Sequence, residues 1–183
     1  MKTTNPYAQR FASFYRKIKQ EHRFDPPSPL EPLDQLVRGF LQWNSTCRAA
    51  QAAHQKLMAA MVDYNDLRIS LPEEVVALIG ANYPQAYERA ARMHDCLQQI
   101  YLREHAMSLA SLSNRSKKDV RVYLETLAGI TPYVASQAIA LCFGAHALPV
   151  DDKLAELLKQ QEAVSPKATS EQVAAFLERQ LRA

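Results

Sequence analysis

Hydrophobic residues recur every three or four positions along most of this chain, which is the spacing of one face of an α-helix. The segment 6–22 shows the pattern at Tyr7, Phe11, Phe14 and Ile18. Similar stretches predict helices over 6–22, 33–42, 46–61, 63–69, 72–79, 84–105, 116–127, 132–143, 152–160 and 169–181. No stretch alternates convincingly with period 2, and the chain has only 4 glycines with which to build tight turns between strands. The pattern therefore predicts an all-α protein.

Proline and capping residues mark several of the predicted helix ends. Prolines at 26, 27, 29 and 32 make the stretch 24–32 an extended connector rather than a helix. Pro72 is a suitable first helical residue, and Gly80 ends that helix. Ser116 followed by Asp119 has the shape of a capping box at the start of the helix 116–127.

The composition is that of a globular protein. The 183 residues are 48% hydrophobic, enough for one domain with a sizeable core or for two small helical lobes. The net charge of +3 permits a nucleic-acid partner without requiring one. Cys47, Cys96 and Cys142 form no CxxC motif, which predicts reduced thiols in the cytoplasm and no zinc or iron–sulfur site. We expect neither a secretory signal nor a membrane-spanning segment.

The segment 124–158 carries the most specific chemistry in the sequence. A helix leads into the turn 127–132, which reads Leu-Ala-Gly-Ile-Thr-Pro, and a second helix follows. Gly129 allows the chain to reverse and lets backbone N–H groups approach an anion such as phosphate. Thr131 is a good N-cap and Pro132 a good first helical residue, although proline removes one possible N–H donor. The turn therefore indicates a helix-hairpin-helix.

This hairpin, with the aspartate after it, resembles the helix-hairpin-helix (HhH-GPD) DNA glycosylase superfamily that includes endonuclease III. The family pattern Leu-Pro-Gly-Val-Gly-x-Lys-x-Ala aligns with residues 127–135, with Thr131 at the second glycine and Tyr133 at the lysine. Asp151 takes the place of the aspartate in the family segment Ala-Val-Asp-Thr-His. The resemblance implies a two-lobed, endonuclease III-like helical fold for a single domain, 1–183. One lobe would span about 33–145, with the hairpin at 124–143, and the other would combine 1–24 with 151–183.

The resemblance implies catalytic roles for two residues. In glycosylases, the carboxylate at the place of Asp151 stabilises positive charge on the sugar that loses its base and can orient water. An aspartate before a helix is also an ordinary N-cap, so this alternative stays open. Tyr133 stands where bifunctional members carry the lysine that attacks the sugar, and a phenol cannot form a Schiff base. The resemblance therefore implies no lyase chemistry by that route.

The resemblance also implies DNA contacts, each with a structural alternative. Asn44 corresponds to the family glutamine that wedges into the duplex, but an Asn before a helix is also an ordinary turn residue. Trp43 could stack on a base or belong to the core. The basic stretch before the hairpin helix either meets phosphates or is a solvated helix start. The expected phosphate contacts are the hairpin residues Gly129, Ile130 and Thr131 and the basic residues Arg115, Lys117, Lys118 and Arg121.

The sequence supports three hypotheses about function. The first is a DNA-binding, glycosylase-like protein of base-excision repair, monofunctional if active, which removes a flipped base with water near Asp151. The second is a catalytically inactive relative that acts as a DNA-binding or protein-interaction module; the altered hairpin and the lack of counterparts to the family's last helices and iron–sulfur loop favour it. The third is a helical interaction protein without a role on DNA, since fold does not fix function. We expect double-stranded DNA as the partner, no cofactor, no metal, no membrane, and a cytoplasmic monomer; the sequence does not name the base lesion.

Overall fold

The computed structural model describes residues 6–23 and 30–181, and within these residues all regular structure is helical. The predicted all-α class is confirmed. One 3-10 turn, Ala110–Asn114, precedes the hairpin. The α-helices are α1 (Pro6–Glu21), α2 (Pro32–Gln42), α3 (Cys47–Ala60), α4 (Tyr64–Ile69), α5 (Pro72–Ile79), α6 (Ala86–Glu104), α7 (Lys117–Glu125), α8 (Pro132–Phe143), α9 (Asp152–Gln160) and α10 (Ser170–Gln180). Of the expected connector 24–32, residues 24–29 lie outside the described residues.

Most helices begin where the capping residues predict. The Ser116 hydroxyl accepts a hydrogen bond from the backbone N–H of Asp119, at 3.2 Å, and caps α7. Helix α6 begins at Ala86 rather than at the expected 84, because Gln85 has a left-handed backbone with φ of 51° and cannot continue a helix. The glycine expected to end α5, Gly80, does so with φ of 104°.

The described residues form two compact units, one spanning 30–147 and the other joining 6–23 to 148–181. In the larger unit, α2 lies at the centre and is buried along its length. Gly39 lets α2 approach α8 closely, since a Cβ at this position would lie 2.8 Å from the side-chain oxygen of Gln137 and 3.2 Å from Val134. Residues with no measurable exposure in this core are Leu36, Val37, Phe40, Leu41, Leu57, Cys96, Leu97, Ile100, Leu109, Leu112, Leu124, Val134 and Ile139.

Arg89 lies fully buried in the larger unit, and among the described residues its hydrogen bonds all go to backbone carbonyls. Its guanidinium donates to the carbonyl oxygens of Phe40, Trp43 and Pro84, the last two at 2.6 and 2.9 Å. The first two carbonyls belong to the C-terminal end of α2, where the helix dipole is negative and a cation is stabilising. Burial lowers the pKa of Arg89, yet an arginine stays charged in proteins. Arg89 therefore fixes the end of α2 and the turn before α6.

The smaller unit consists of α1, α9 and α10. Phe11 on α1 packs edge-on against Phe176 on α10, with ring centroids 6.1 Å apart. Both rings belong to a separate apolar cluster that includes Val150, Leu158 and Val173. This unit therefore has a core of its own. Within the described residues, no helix is both long enough and apolar enough to span a bilayer.

Candidate nucleic-acid interface

The turn between α7 and α8 reverses tightly at Gly129. This residue has φ of 70°, a left-handed conformation that favours glycine. A Cβ at this position would lie 3.0 Å from the Cα and from the carbonyl carbon of Arg92 on α6, and closer still to the carbonyl oxygen. Leu127 is buried and Ile130 is half-buried against the core of the larger unit. The glycine is therefore required both for the backbone conformation and for the close approach of the hairpin to α6.

Two backbone N–H groups of the hairpin have no acceptor in the part of the chain that the structure describes. Among the described residues, no hydrogen bond uses the N–H of Gly129 or of Thr131, and Pro132 has none to offer. The N–H of Ile130 donates to the carbonyl of Leu127 at 3.4 Å, so it is already engaged. The Thr131 hydroxyl accepts from the N–H of Val134 at 3.3 Å, as expected of an N-cap. Unpaired donors before a helix suit an anion such as phosphate; Thr131 is only 4% exposed, so the half-buried Gly129 is the more accessible of the two residues.

A depression of about 340 Å³ lies beside these groups. Its lining includes the carboxylate-bearing Glu125, which forms an ion pair with Arg121 at 3.0 Å. The negative charge of an unpaired Glu125 would repel a phosphate bound in this depression. The positive charge of Arg121 offsets it. The other residues that line the depression are Ile130, Thr131, Pro132, Ala135 and Ser136.

The turn after α2 is the second predicted contact. Asn44 has a left-handed backbone with φ of 51°, and its side-chain amide lies 3.3 Å from the side-chain oxygen of Gln85. Asn tolerates this conformation better than most residues, which agrees with the turn interpretation. Gln85 also has a left-handed backbone, which is uncommon for a residue other than glycine. A side-chain hydrogen bond therefore joins two turns that each contain such a residue. Trp43 is half-buried and packs against the core, with the Arg89 guanidinium 5.7 Å from its ring centroid.

The N-terminal half of α6 connects the two predicted contacts. Gly129 packs on the backbone of Arg92, while the guanidinium of Arg92 lies 5.7 Å from the centroid of the Trp43 ring. Residue 85, which holds Asn44, is the N-cap of the same helix. The structure therefore brings the hairpin and the Asn44 turn to one face of the larger unit.

The basic stretch before the hairpin is largely engaged with the protein itself. Arg115 approaches the Glu104 carboxylate at 3.5 Å, and Lys117 donates to the carbonyl of Gly144 at 2.7 Å. Arg121 donates to the carbonyl of His146 at 2.6 Å in addition to its pairing with an acid. Lys118 is exposed. Three of these four cations thus anchor α7 to neighbouring parts of the protein, and Lys117 is the one of the three in the first turn of the helix, where acids are usual.

Asp151 caps α9 in the smaller unit. One of its carboxylate oxygens accepts from the N–H of Leu154 at 2.8 Å, and the residue is half-buried. The N-cap interpretation of Asp151 is therefore confirmed, while its catalytic role remains a prediction. Tyr133 lies in the first turn of α8 in the larger unit and is half-buried against its core.

The cysteines are free thiols, and two of them are poorly suited to reaction. Burial raises the pKa of Cys96 to about 12 and that of Cys142 to about 11. A thiol with so high a pKa is a poor nucleophile and metal ligand near neutral pH. The described part of the chain contains no group of three His, Cys, Asp or Glu residues placed to hold a metal ion.

Reasoning from the sequence missed Arg89 and Arg92. Arg89 does carry a signal, because it falls at the inward spacing of α6 set by Ala86, Ala90 and Met93, where a charged residue needs an internal partner. Arg92 carries no such signal, since its significance arises only where the hairpin and the Asn44 turn meet α6.

No protein-family model and no curated protein matches this sequence. Solved structures do match nearly all of the chain. A non-covalent complex of endonuclease III with DNA superposes with a TM-score of 0.70 at 14% sequence identity, over 98% of this chain and 79% of that one. This chain has the endonuclease III fold. A thermostable thymine-DNA glycosylase superposes with a TM-score of 0.61 at 14% identity, covering 96% and 77% of the two chains.

The endonuclease III fold is shared with a third kind of glycosylase. The 8-oxoguanine glycosylase/lyase of Clostridium acetobutylicum superposes with a TM-score of 0.64 at 14% identity, over 96% of this chain and 61% of that one. The fold expected from the hairpin and from Asp151 is therefore confirmed. At this identity the likeness concerns the fold alone, so activity has to be argued from the residues.

Proposed function

We propose that this chain binds double-stranded DNA and acts as a monofunctional DNA N-glycosylase, removing a base without cutting the strand. The observation that supports it best is the pair of backbone N–H groups at Gly129 and Thr131, which have no acceptor among the described residues. Gly129 has a left-handed backbone and packs on α6, so the direction of these N–H groups is fixed before any ligand binds. A phosphate of the DNA backbone is the anion that such a site suits.

The proposed chemistry depends on Asp151. A target nucleotide flips out of the duplex, and its sugar develops positive charge as the glycosidic bond breaks. A fixed carboxylate stabilises that charge and orients the water that attacks the sugar. The hydrogen bond from Leu154 fixes one oxygen of this carboxylate. Tyr133 in the first turn of α8 cannot form a Schiff base, so base removal ends with an intact abasic strand.

A catalytically inactive DNA-binding or protein-interaction module is the second candidate. Two observations favour it. Asp151 already has the structural task of capping α9. In the basic stretch, Arg115, Lys117 and Arg121 are engaged with the protein and so offer less charge to a duplex.

Binding is tested by fluorescence anisotropy with a labelled 20-base-pair duplex at about 50 mM and about 200 mM salt. We expect retention at low salt and a loss of affinity at the higher concentration, because phosphate contacts release counterions. If no duplex is retained even at the lower concentration, both DNA hypotheses are wrong and a helical interaction protein remains.

Base removal is tested on duplexes that carry uracil, mismatched thymine, 8-oxoguanine or an alkylated base. Asp151→Asn is the decisive variant, since asparagine also caps helices and the change removes charge while keeping the cap. Asp152→Asn, a neighbouring acid that is exposed in the first turn of α9, is the matched control. We expect the Asp151 variant to lose base release by at least 100-fold and the control to keep it. Equal activity of the two variants would remove Asp151 from the mechanism, and binding without release from any duplex would favour the inactive module.

Lyase activity is tested by borohydride trapping on duplex DNA with an abasic site. A phenol at position 133 gives no reducible imine, so we expect neither a trapped complex nor a nicked strand. A trapped complex would show that another amine of the chain attacks the sugar and would contradict the monofunctional assignment.

We further propose that the protein acts as a monomer in the cytoplasm. Cys47, Cys96 and Cys142 are all free thiols, as expected in a reducing compartment. Sedimentation with and without duplex checks the oligomeric state, and a dimer of the free protein would contradict this part of the proposal.

A further inference from the structure

We infer that Arg92 is a phosphate-binding residue of the DNA interface and that Glu88 neutralises its charge in the free protein. The inference rests on the proposed binding of duplex DNA. The proposed contact belongs to α6 and not to the hairpin or the Asn44 turn. It lies where both of these turns pack against α6. Arg92 and Glu88 form an ion pair on α6, the α6 ion pair.

The position of Arg92 is set by both predicted contacts. Its backbone lies against Gly129, as the contact that a Cβ at position 129 would make shows. Its guanidinium lies 5.7 Å from the ring centroid of Trp43, the residue immediately before Asn44. A phosphate that meets the unused N–H groups of the hairpin therefore belongs to a strand that passes close to this side chain.

The side chain of Arg92 is partly exposed, and its guanidinium has unused donors among the described residues. Its side chain is 39% exposed. Its Nε atom lies 2.9 Å from a carboxylate oxygen of Glu88, and neither of its terminal nitrogens donates a hydrogen bond to any residue in the described ranges 6–23 and 30–181. The terminal nitrogens of Arg68 and Arg121, in contrast, all donate to protein acceptors. The fork of Arg92 thus remains available for the planar, bidentate recognition of a phosphate.

Trp43 lies close to this fork. A cation–π contact with the indole, at 5.7 Å from the ring centroid, restrains the long side chain, so less conformational entropy is lost when the guanidinium meets its ligand. Such a contact uses the charge of the guanidinium and leaves its terminal N–H groups free. Lysine can make the same contact but has no planar fork, so it would keep the charge and lose the bidentate geometry.

Glu88 has the opposite effect on a phosphate. Its carboxylate is 46% exposed on the same face of α6, one helical turn before Arg92. It neutralises the arginine in the free protein and repels an approaching phosphate. DNA binding must therefore loosen the α6 ion pair, and removal of the glutamate charge should strengthen binding.

The test uses the whole chain, a labelled 20-base-pair duplex and four variants. Arg92→Gln should weaken binding by about five- to tenfold, the loss of one charged hydrogen-bonded contact. The plot of log affinity against log salt concentration should become shallower by about 0.9, as expected for one phosphate contact fewer. Arg92→Lys should keep the wild-type salt slope with reduced affinity. Glu88→Gln should strengthen binding by about threefold or more, because a repulsive charge is lost.

Matched controls separate this local effect from net charge and from folding. Arg48→Gln on α3 and Glu73→Gln on α5 change the same charges at exposed positions of the same unit. Thermal unfolding of every variant is measured in parallel. A purely structural ion pair would make Glu88→Gln and Arg92→Gln change DNA affinity in the same direction, and that result overturns the inference. An Arg92→Gln variant that binds duplex as tightly as the wild type also overturns the inference. A wild-type protein that binds no duplex overturns both the inference and the proposed function.

Discussion

Replacement of Gly129 by alanine is the sharpest test of the hairpin geometry. The change adds a single methyl group at a residue whose φ is 70° and whose Cα faces the backbone of Arg92. Gly144 offers a matched control. It also has a left-handed backbone, with φ of 56°, but a Cβ there would meet no atom of the described residues within 4 Å. The two alanine variants therefore share the conformational cost and differ only in the steric contact.

The expected magnitudes follow from these two terms. A left-handed conformation costs an L-residue about 1–2 kcal/mol, and this is the whole cost expected for Gly144→Ala. Gly129→Ala carries the same cost, and the clash with the backbone of α6 adds the penalty of an overpacked core, about 1–3 kcal/mol. The difference between the variants is thus about 2 kcal/mol. For a chain of 183 residues, this corresponds to about 4–8 °C in melting temperature.

Thermal and urea unfolding of both variants measure this difference, and duplex binding gives a second readout. Relief of the clash moves the hairpin away from α6, so Gly129→Ala should also lose DNA affinity while Gly144→Ala keeps it. Equal destabilisation of the two variants would refute the close approach of the hairpin to α6. A stable Gly129→Ala protein with full affinity would refute the argument that the left-handed glycine directs the phosphate donors.

Two further predictions concern buried polar groups outside the hairpin. Arg89→Met should lower the free energy of unfolding by about 3 kcal/mol or more in urea titrations, since three carbonyl oxygens lose their donor, whereas the exposed control Arg48→Met should change it by less than about 0.5 kcal/mol. Burial lowers the pKa of His54, an effect that the carboxylate of Asp34 at 2.7 Å only partly offsets. The unfolded chain therefore binds a proton more readily, and stability should fall as the pH drops below about 6.5; His54→Gln should flatten that slope between pH 5 and pH 8, and an unchanged slope would contradict the assignment.

The helices could be predicted from the sequence because local signals agreed with packing. Ser116 and Thr131 cap the helices that they were expected to cap, and the apolar spacing of α2 matches its buried face. The start of α6 could not be placed, because Gln85 adopts a left-handed backbone that no local rule favours for glutamine. Its hydrogen bond with Asn44 comes from a distant part of the chain, and a one-dimensional pattern does not contain such a contact.

The candidate interface was predictable only in part, for a related reason. Gly129 and Thr131 belong to a short motif, so their geometry follows from neighbouring residues. The anchoring of Arg115 by Glu104 and of Arg121 by the carbonyl of His146 depends on tertiary structure. A run of basic residues looks the same in a sequence whether it faces solvent, DNA or the protein itself.

The N-cap at Asp151 is compatible with the catalytic role. A cap requires a side-chain oxygen within hydrogen-bonding distance of the N–H of Leu154, and it gains little from a full negative charge. Stabilisation of a positively charged sugar requires that charge and a fixed position for it. The cap supplies the fixed position, since the hydrogen bond restrains the carboxylate at the start of α9. The structural and catalytic roles thus differ in one property, the charge, and only the catalytic role should respond when asparagine replaces aspartate.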